Sequence, residues 1–346
     1  MLRDARSHYF PRTSATSPPT TVPSTVQGPA VEPTSEPEGQ LLKDGFEEYG
    51  RFYGSWRRGK YLLPIDQEEL ERLDIFHEFF RIARRGRICS VDLRKEGHPK
   101  VLDLGTGTGI WAFSVVEDFY KNAEVMAVDI NLIQPYLIPQ SVTTMQFDIE
   151  EPSWNPLFRD CELIHLRSLY GSIADGIWPR IYRNVFEHLV PREGHVEHVE
   201  IDWEPRWEGG SAPAKSAYRD WYQTLQVAMN RSKRSIEISS QHTQQMMEAA
   251  GLIDFTEIMI QCHMNPWATD HRKEATLWFN KVVCEGLEAM SMAPLIQQLG
   301  MKEADVRDLC ERVREEICRL RNGDIFCTMY IWTATKPLPP TSVRAI

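Results

Sequence analysis

The chain has 346 residues, 42% of them hydrophobic and ten of them tryptophan, a composition that fits a globular enzyme and excludes a fibre or a wholly disordered protein. Lys and Arg number 39 against 49 Asp and Glu, a formal net charge of -10 that argues against a nucleic-acid substrate needing broad phosphate neutralisation. Seven cysteines without CxxC or His spacing argue against a disulfide framework or a metal site, and neither a membrane span nor a secretory leader is legible, so a cytoplasmic or nuclear protein is expected.

In chain order, residues 1–40 are rich in Pro, Ser and Thr and are expected to form a disordered tail. From Phe46 onward Tyr49, Phe52, Tyr53, Trp56 and Tyr61 are interleaved with Arg51, Arg57, Arg58 and Lys60. Leu73, Phe76 and Phe80 then recur at helical spacing behind an N-cap at Asp66, with Glu69 three residues on. Residues 41–98 therefore read as a helical lid region. From Lys100 short β-rich runs alternate with helical ones, which predicts an α/β, doubly wound, seven-stranded and mostly parallel Rossmann-like sheet. Strands are expected at 100–104, 124–128, 143–147, 161–166, 195–201, 254–263 and 325–335. Helices are expected at 110–120, 178–190, 214–231 and 240–250. Two more, at 270–298 and 302–321, form a helical insertion (266–322) before the last strand, inside a catalytic domain spanning 99–337. A short tail, 338–346, follows.

The first strand ends in Gly105-Thr106-Gly107-Thr108-Gly109, a turn that lets a ligand approach the backbone closely. Asp103 precedes it by two positions. Asp129, with Ile130 after it, ends the next strand where a carboxylate can accept both ribose hydroxyls, and Asp148, with Ile149, follows the third where it can meet an adenine amino group. A nicotinamide dehydrogenase uses the same strand, turn and acid, but its fingerprint places the third glycine at position 110, which is Ile here. GxGxG is the spacing associated with S-adenosyl-L-methionine, which has no pyrophosphate to seat.

The segments Tyr49-Gly-Arg-Phe-Tyr-Gly-Ser-Trp-Arg-Arg-Gly-Lys-Tyr-Leu-Leu-Pro64, Glu71-Arg-Leu-Asp-Ile-Phe-His77, Leu102–Ala112, Val128–Pro135 and Val199-Glu-Ile-Asp202 resemble the LaeA-type fungal class I methyltransferases, and the resemblance runs from about residue 46 to 337. It implies a seven-stranded adenosylmethionine-binding fold and a link to fungal secondary metabolism. Within the family it allows two roles, a tailoring enzyme or a regulator acting with velvet-type protein partners.

Methyl transfer requires an acceptor in line with the sulfonium methyl, and often a base to take its proton. The fourth strand supplies His165 as a base candidate, Arg167 as a cation for the cofactor carboxylate or an acidic substrate, and Tyr170 beyond them. His198, Glu200 and Asp202 share one face of the fifth strand, which nominates Glu200 as a second catalytic candidate. Tyr53, Arg58 and Tyr61 are expected in the lid, and Trp267 and Trp278 as walls of an apolar substrate pocket. The first reading is methyl transfer to an oxygen of a small-molecule metabolite; the alternative is a regulator that methylates a protein or itself.

Overall fold

In the computed structural model the described residues are 44–210, 212–264, 272–319 and 325–339, so the expected tail at 1–40 lies outside them. The first element is a β-hairpin of Gly45–Glu48 (β1) and Arg51–Gly54 (β2), paired antiparallel across a two-residue turn, Tyr49-Gly50. Both turn residues have positive φ, 54° and 72°, as a turn of primed type requires. The lid region is thus part hairpin and only then helix, where a helical region alone was expected. Helix α1 (Gln67–Ala83) starts at the expected cap: Asp66 accepts from the Glu69 N–H at 3.1 Å, and Glu68 and Glu69 complement the first turn. Its Phe76, Phe79 and Phe80 are buried.

The main sheet contains β3 (Lys100–Leu104), β4 (Glu124–Asp129), β5 (Val142–Gln146), β6 (Leu163–Arg167), β7 (His195–Trp207), β8 (Ile253–His263) and β9 (Ile325–Thr335), in the order β5-β4-β3-β6-β7-β9-β8. All neighbours pair in parallel except β9, which runs antiparallel to β7 and β8. From β3 the chain moves outward first to β4 and later to β6, so the strand order reverses beside β3. A cleft opens at the carboxyl ends of the strands at such a point.

The helix after the glycines is interrupted: α2 (Ile110–Ser114) widens into a π-helical turn over Val115–Phe119, where one α-helix was expected. Helices α3 (Trp178–His188), α4 (Ala217–Arg231) and α5 (Ser240–Ala249) follow. The expected insertion is present as α6 (Lys273–Leu299) and α7 (Glu303–Arg319), of which α6 packs against α1, α4 and α7. Phe79, Trp221, Phe279, Leu295 and Val306 share this core, while Trp154, Tyr182, Met247 and Trp332 belong to a second one, with α3 and α5. No helix among the described residues is long and apolar enough to cross a membrane.

Candidate active site

The glycine turn works by conformation. Gly105 and Gly107 have φ of 71° and 59°, and a Cβ on Gly105 would come within 2.4 Å of the Leu169 side chain. The turn is held open toward the next strand: Asp129 Oδ2 accepts the Gly107 N–H and Oδ1 the Asn131 N–H, both at 2.9 Å. A cleft of about 910 Å³, mouth included, lies over it. Gly105, Thr106, Gly107, Asp129, Ile130, Asp148, Ile149, Arg167 and Tyr61 line it together. Of the expected cofactor residues, only Asp103 and Gly109 are outside the lining.

Asp103 lies one step below the floor. It pairs in register with His165, and His165 with Glu197, so the three side chains form one row across β3, β6 and β7. Asp103 Oδ1 accepts from His165 Nδ1 at 2.8 Å, and Glu197 is gripped by both terminal nitrogens of Arg84 at 2.9 and 2.8 Å. The His165 ring stacks on Trp111 with centroids 3.8 Å apart, and burial lowers its pKa. His165 is 1% exposed and does not line the cleft, which corrects its expected catalytic role: an acceptor there has no route to its imidazole.

Arg167, two residues further along β6, does reach the cleft. It lies over the Phe80 ring at 4.8 Å and its Nη1 donates to His77 Nδ1 at 3.4 Å. His77 is neutral, because burial and then the Arg167 charge push its pKa down to about 2. Burial also lowers Arg167 to about 10, which leaves it cationic at neutral pH. Among the described residues no carboxylate forms an ion pair with it.

The mouth is closed by the segment after the hairpin. Lys60 Nζ meets Asp148 Oδ2 at 2.5 Å and Glu150 Oε2 at 2.9 Å, and Arg57 pairs with Glu151. Burial disfavours the Lys60 ammonium, but these two acids outweigh it and raise its pKa. Arg58, the expected lid cation, stacks over Phe46 at 3.9 Å and lines no part of the cleft. Tyr53 is buried inside the hairpin against Phe46.

A second lobe of about 790 Å³, mouth included, shares Tyr61, Leu73, Phe76, Ser168 and Ser172 with the first and continues over Tyr170, Glu200 and Trp203. The insertion contributes Met290 and Pro294. Trp278, on α6, packs against the core and does not line either lobe, contrary to expectation, and Trp267 lies outside the described residues. Asp202 is turned to Arg206, 2.6 Å away. Ser168, Leu225, Met229 and Ile236, none of them an expected site residue, also line this lobe, and of these only Ser168 has a local signal, its place directly after a strand end.

A family model described as "Methyltransferase domain" matches residues 68–254. The "Secondary metabolism regulator LAE1" of Hypocrea atroviridis is 56% identical over 335 residues, 95% of this chain and 95% of its own. The "Secondary metabolism regulator laeA" of Fusarium oxysporum f. sp. lycopersici is 48% identical over 312 residues, 90% of this chain and 98% of its own. That of Aspergillus flavus is 37% identical over 298 residues, 84% of this chain and 78% of its own.

Proposed function

The chain belongs to the LaeA-type family of class I S-adenosylmethionine-dependent methyltransferases, and on that premise we propose that it regulates secondary metabolism through methyl transfer. The observation that carries the regulatory reading is 56% identity across 95% of both chains with a relative of that name. S-adenosyl-L-methionine is the methyl donor. The residues present fit it: Thr106 Oγ1 is a buried polar atom at the cleft wall with no partner among the described residues. In this reading Asp129 takes the ribose hydroxyls, Asp148 the adenine amino group and Arg167 the methionine carboxylate. The bound cofactor supplies an electrophilic methyl on a sulfonium, and the protein supplies position and exclusion of water.

The tailoring role, the first reading of the sequence, becomes the second here, favoured by the size and apolar walls of the second lobe, which suit a small acceptor. Replacing the chromosomal copy with an Asp129→Ala allele separates the two. A regulator loses several unrelated metabolites together with the transcripts for making them. A tailoring enzyme loses one product, accumulates its unmethylated precursor and leaves transcripts unchanged, which would overturn the regulatory reading. Velvet-type partners belong to the same reading, and co-purification from host extract tests for them.

A further inference from the structure

Ser168 stands where the two lobes meet, and two independent features mark it. Its backbone has φ of 56°, a left-handed conformation that a residue with a Cβ seldom adopts. Its hydroxyl is buried and has no hydrogen-bond partner among the described residues. Strain and an unsatisfied hydroxyl at one position both make sense if the hydroxyl bonds to a molecule that enters the lobe.

Directly behind it, Glu200 Oε1 accepts the N–H of Leu169 at 2.6 Å and that of Tyr170 at 3.1 Å, and lies 2.8 Å from His198 Nε2. The other His198 nitrogen is 2.8 Å from the Tyr182 hydroxyl. The tautomer that satisfies all of these has Tyr182 donating to Nδ1 and Nε2–H donating to Glu200. One carboxylate oxygen is therefore saturated, while Oε2 has no donor among the described residues. The surrounding lobe is apolar, built from Phe76, Trp203, Leu225, Met229, Ile236 and Met290. Its other ionised side chain, Arg72, is held bidentate by Glu69 at 2.8 and 2.6 Å.

We propose that Glu200 and Ser168 handle the methyl acceptor, and that the acceptor is a neutral hydroxyl on an apolar ring-sized molecule, a phenol or an enol. The inference rests on the methyltransferase reading above. Glu200 repels an anionic acceptor. With an amine it forms an ion pair that holds the proton on nitrogen, against the chemistry. A neutral hydroxyl is attracted and loses its proton only as the reaction proceeds. The acceptor oxygen then bonds to the methyl carbon, the carbon–sulfur bond breaks with its electron pair returning to sulfur, and the hydroxyl proton passes to Glu200 Oε2. The products are a methyl ether, a neutral thioether and a protonated Glu200, so atoms and charge balance. Ser168 donates to the acceptor oxygen and orients it. His198 and Tyr182 are positioning residues that act through Glu200.

The test is calorimetric titration of the full chain, with S-adenosylhomocysteine already bound, using 2-naphthol and 2-methoxynaphthalene as probes. Only the first has a proton to donate. The parent should bind 2-naphthol about tenfold more tightly, the effect of one hydrogen bond to a charged group. Glu200→Gln should abolish that preference, whereas Ser168→Gly should weaken both probes to a similar degree, because each carries an oxygen that accepts from the hydroxyl, and should melt no lower than the parent because glycine tolerates the backbone there. Should Glu200→Gln fail to fold, the parent's preference and the loss in Ser168→Gly decide together. Equal binding of the two probes by the parent, binding of neither, a preference that survives Glu200→Gln, or unchanged binding by Ser168→Gly would each overturn the proposal. Failure of S-adenosylhomocysteine itself to bind would instead overturn the methyltransferase reading.

Discussion

Burial raises the Asp129 carboxyl to a pKa of about 6; the backbone N–H groups of Asn131 and Gly107 oppose the shift and the Asp103 charge adds to it. In the proposed site the ionised form is the one that would accept the ribose hydroxyls. Affinity for S-adenosylhomocysteine should therefore hold above pH 6 and fall about tenfold per unit below it, by linkage. The sign for stability is the reverse. With a folded pKa above the unfolded value of about 3.9, the carboxyl's contribution is fully present below about pH 4 and fades as pH rises through 6. Titrations between pH 5 and 8 on the parent and on Asp129→Asn check both directions, and a flat affinity profile in the parent would contradict the assignment. The place of Asp129 at the end of β4 was legible, because an acid closing a β-rich run is a local pattern. His165 was not read correctly, since alternation along a strand gives the face of the sheet but not the depth. Arg167 and His165 share a face, and two residues of strand, about 6.6 Å, separate the cleft from the layer beneath it.

At the scale of elements, Asp66 joins the hairpin to α1. Its carboxylate caps the helix, accepts the Phe52 N–H at 3.2 Å and takes Arg51 bidentate at 2.7 Å on each oxygen. Burial opposes the charge, but Arg51 and the two N–H groups prevail and lower its pKa, so this support is lost only as pH falls through that lowered value. Asp66→Ala should cost about 2 kcal/mol, a cap plus a charge-assisted hydrogen bond, measurable by urea unfolding. It should also raise KM for adenosylmethionine. Gly54 brings the hairpin against the loop after β4, where a Cβ would lie 2.1 Å from Asn131 Oδ1. Amides from Gly45 to Leu63 should accordingly gain hydrogen-exchange protection when S-adenosylhomocysteine binds. Lys60→Met should weaken that response and Arg58→Lys should not. The reverse ranking would restore Arg58 to the lid. The hairpin escaped the sequence reading because its strands are four residues long and its turn is Tyr-Gly rather than Asn-Gly.

Across the whole molecule the seven strands of the sheet and the insertion were legible to within a few residues of each boundary, β7 apart, because alternating buried runs and amphipathic helices repeat from Lys100 to Thr335. β7 runs six residues past its expected end, carried beyond the parallel sheet by its antiparallel pairing with β9, a long-range partner that local pattern does not reveal. The second lobe was equally hidden, since it draws Phe76 from α1, Leu225 and Met229 from α4 and Met290 from α6. Calorimetric titration of the purified chain with S-adenosylhomocysteine and, separately, with NAD decides whether Asp129 orders an adenosylmethionine site. One-to-one S-adenosylhomocysteine binding is expected, weakened by about 1.5–3 kcal/mol in a folded Asp129→Ala variant, with no binding of NAD. Unchanged affinity in that variant, or tight NAD binding by the parent, would contradict that expectation.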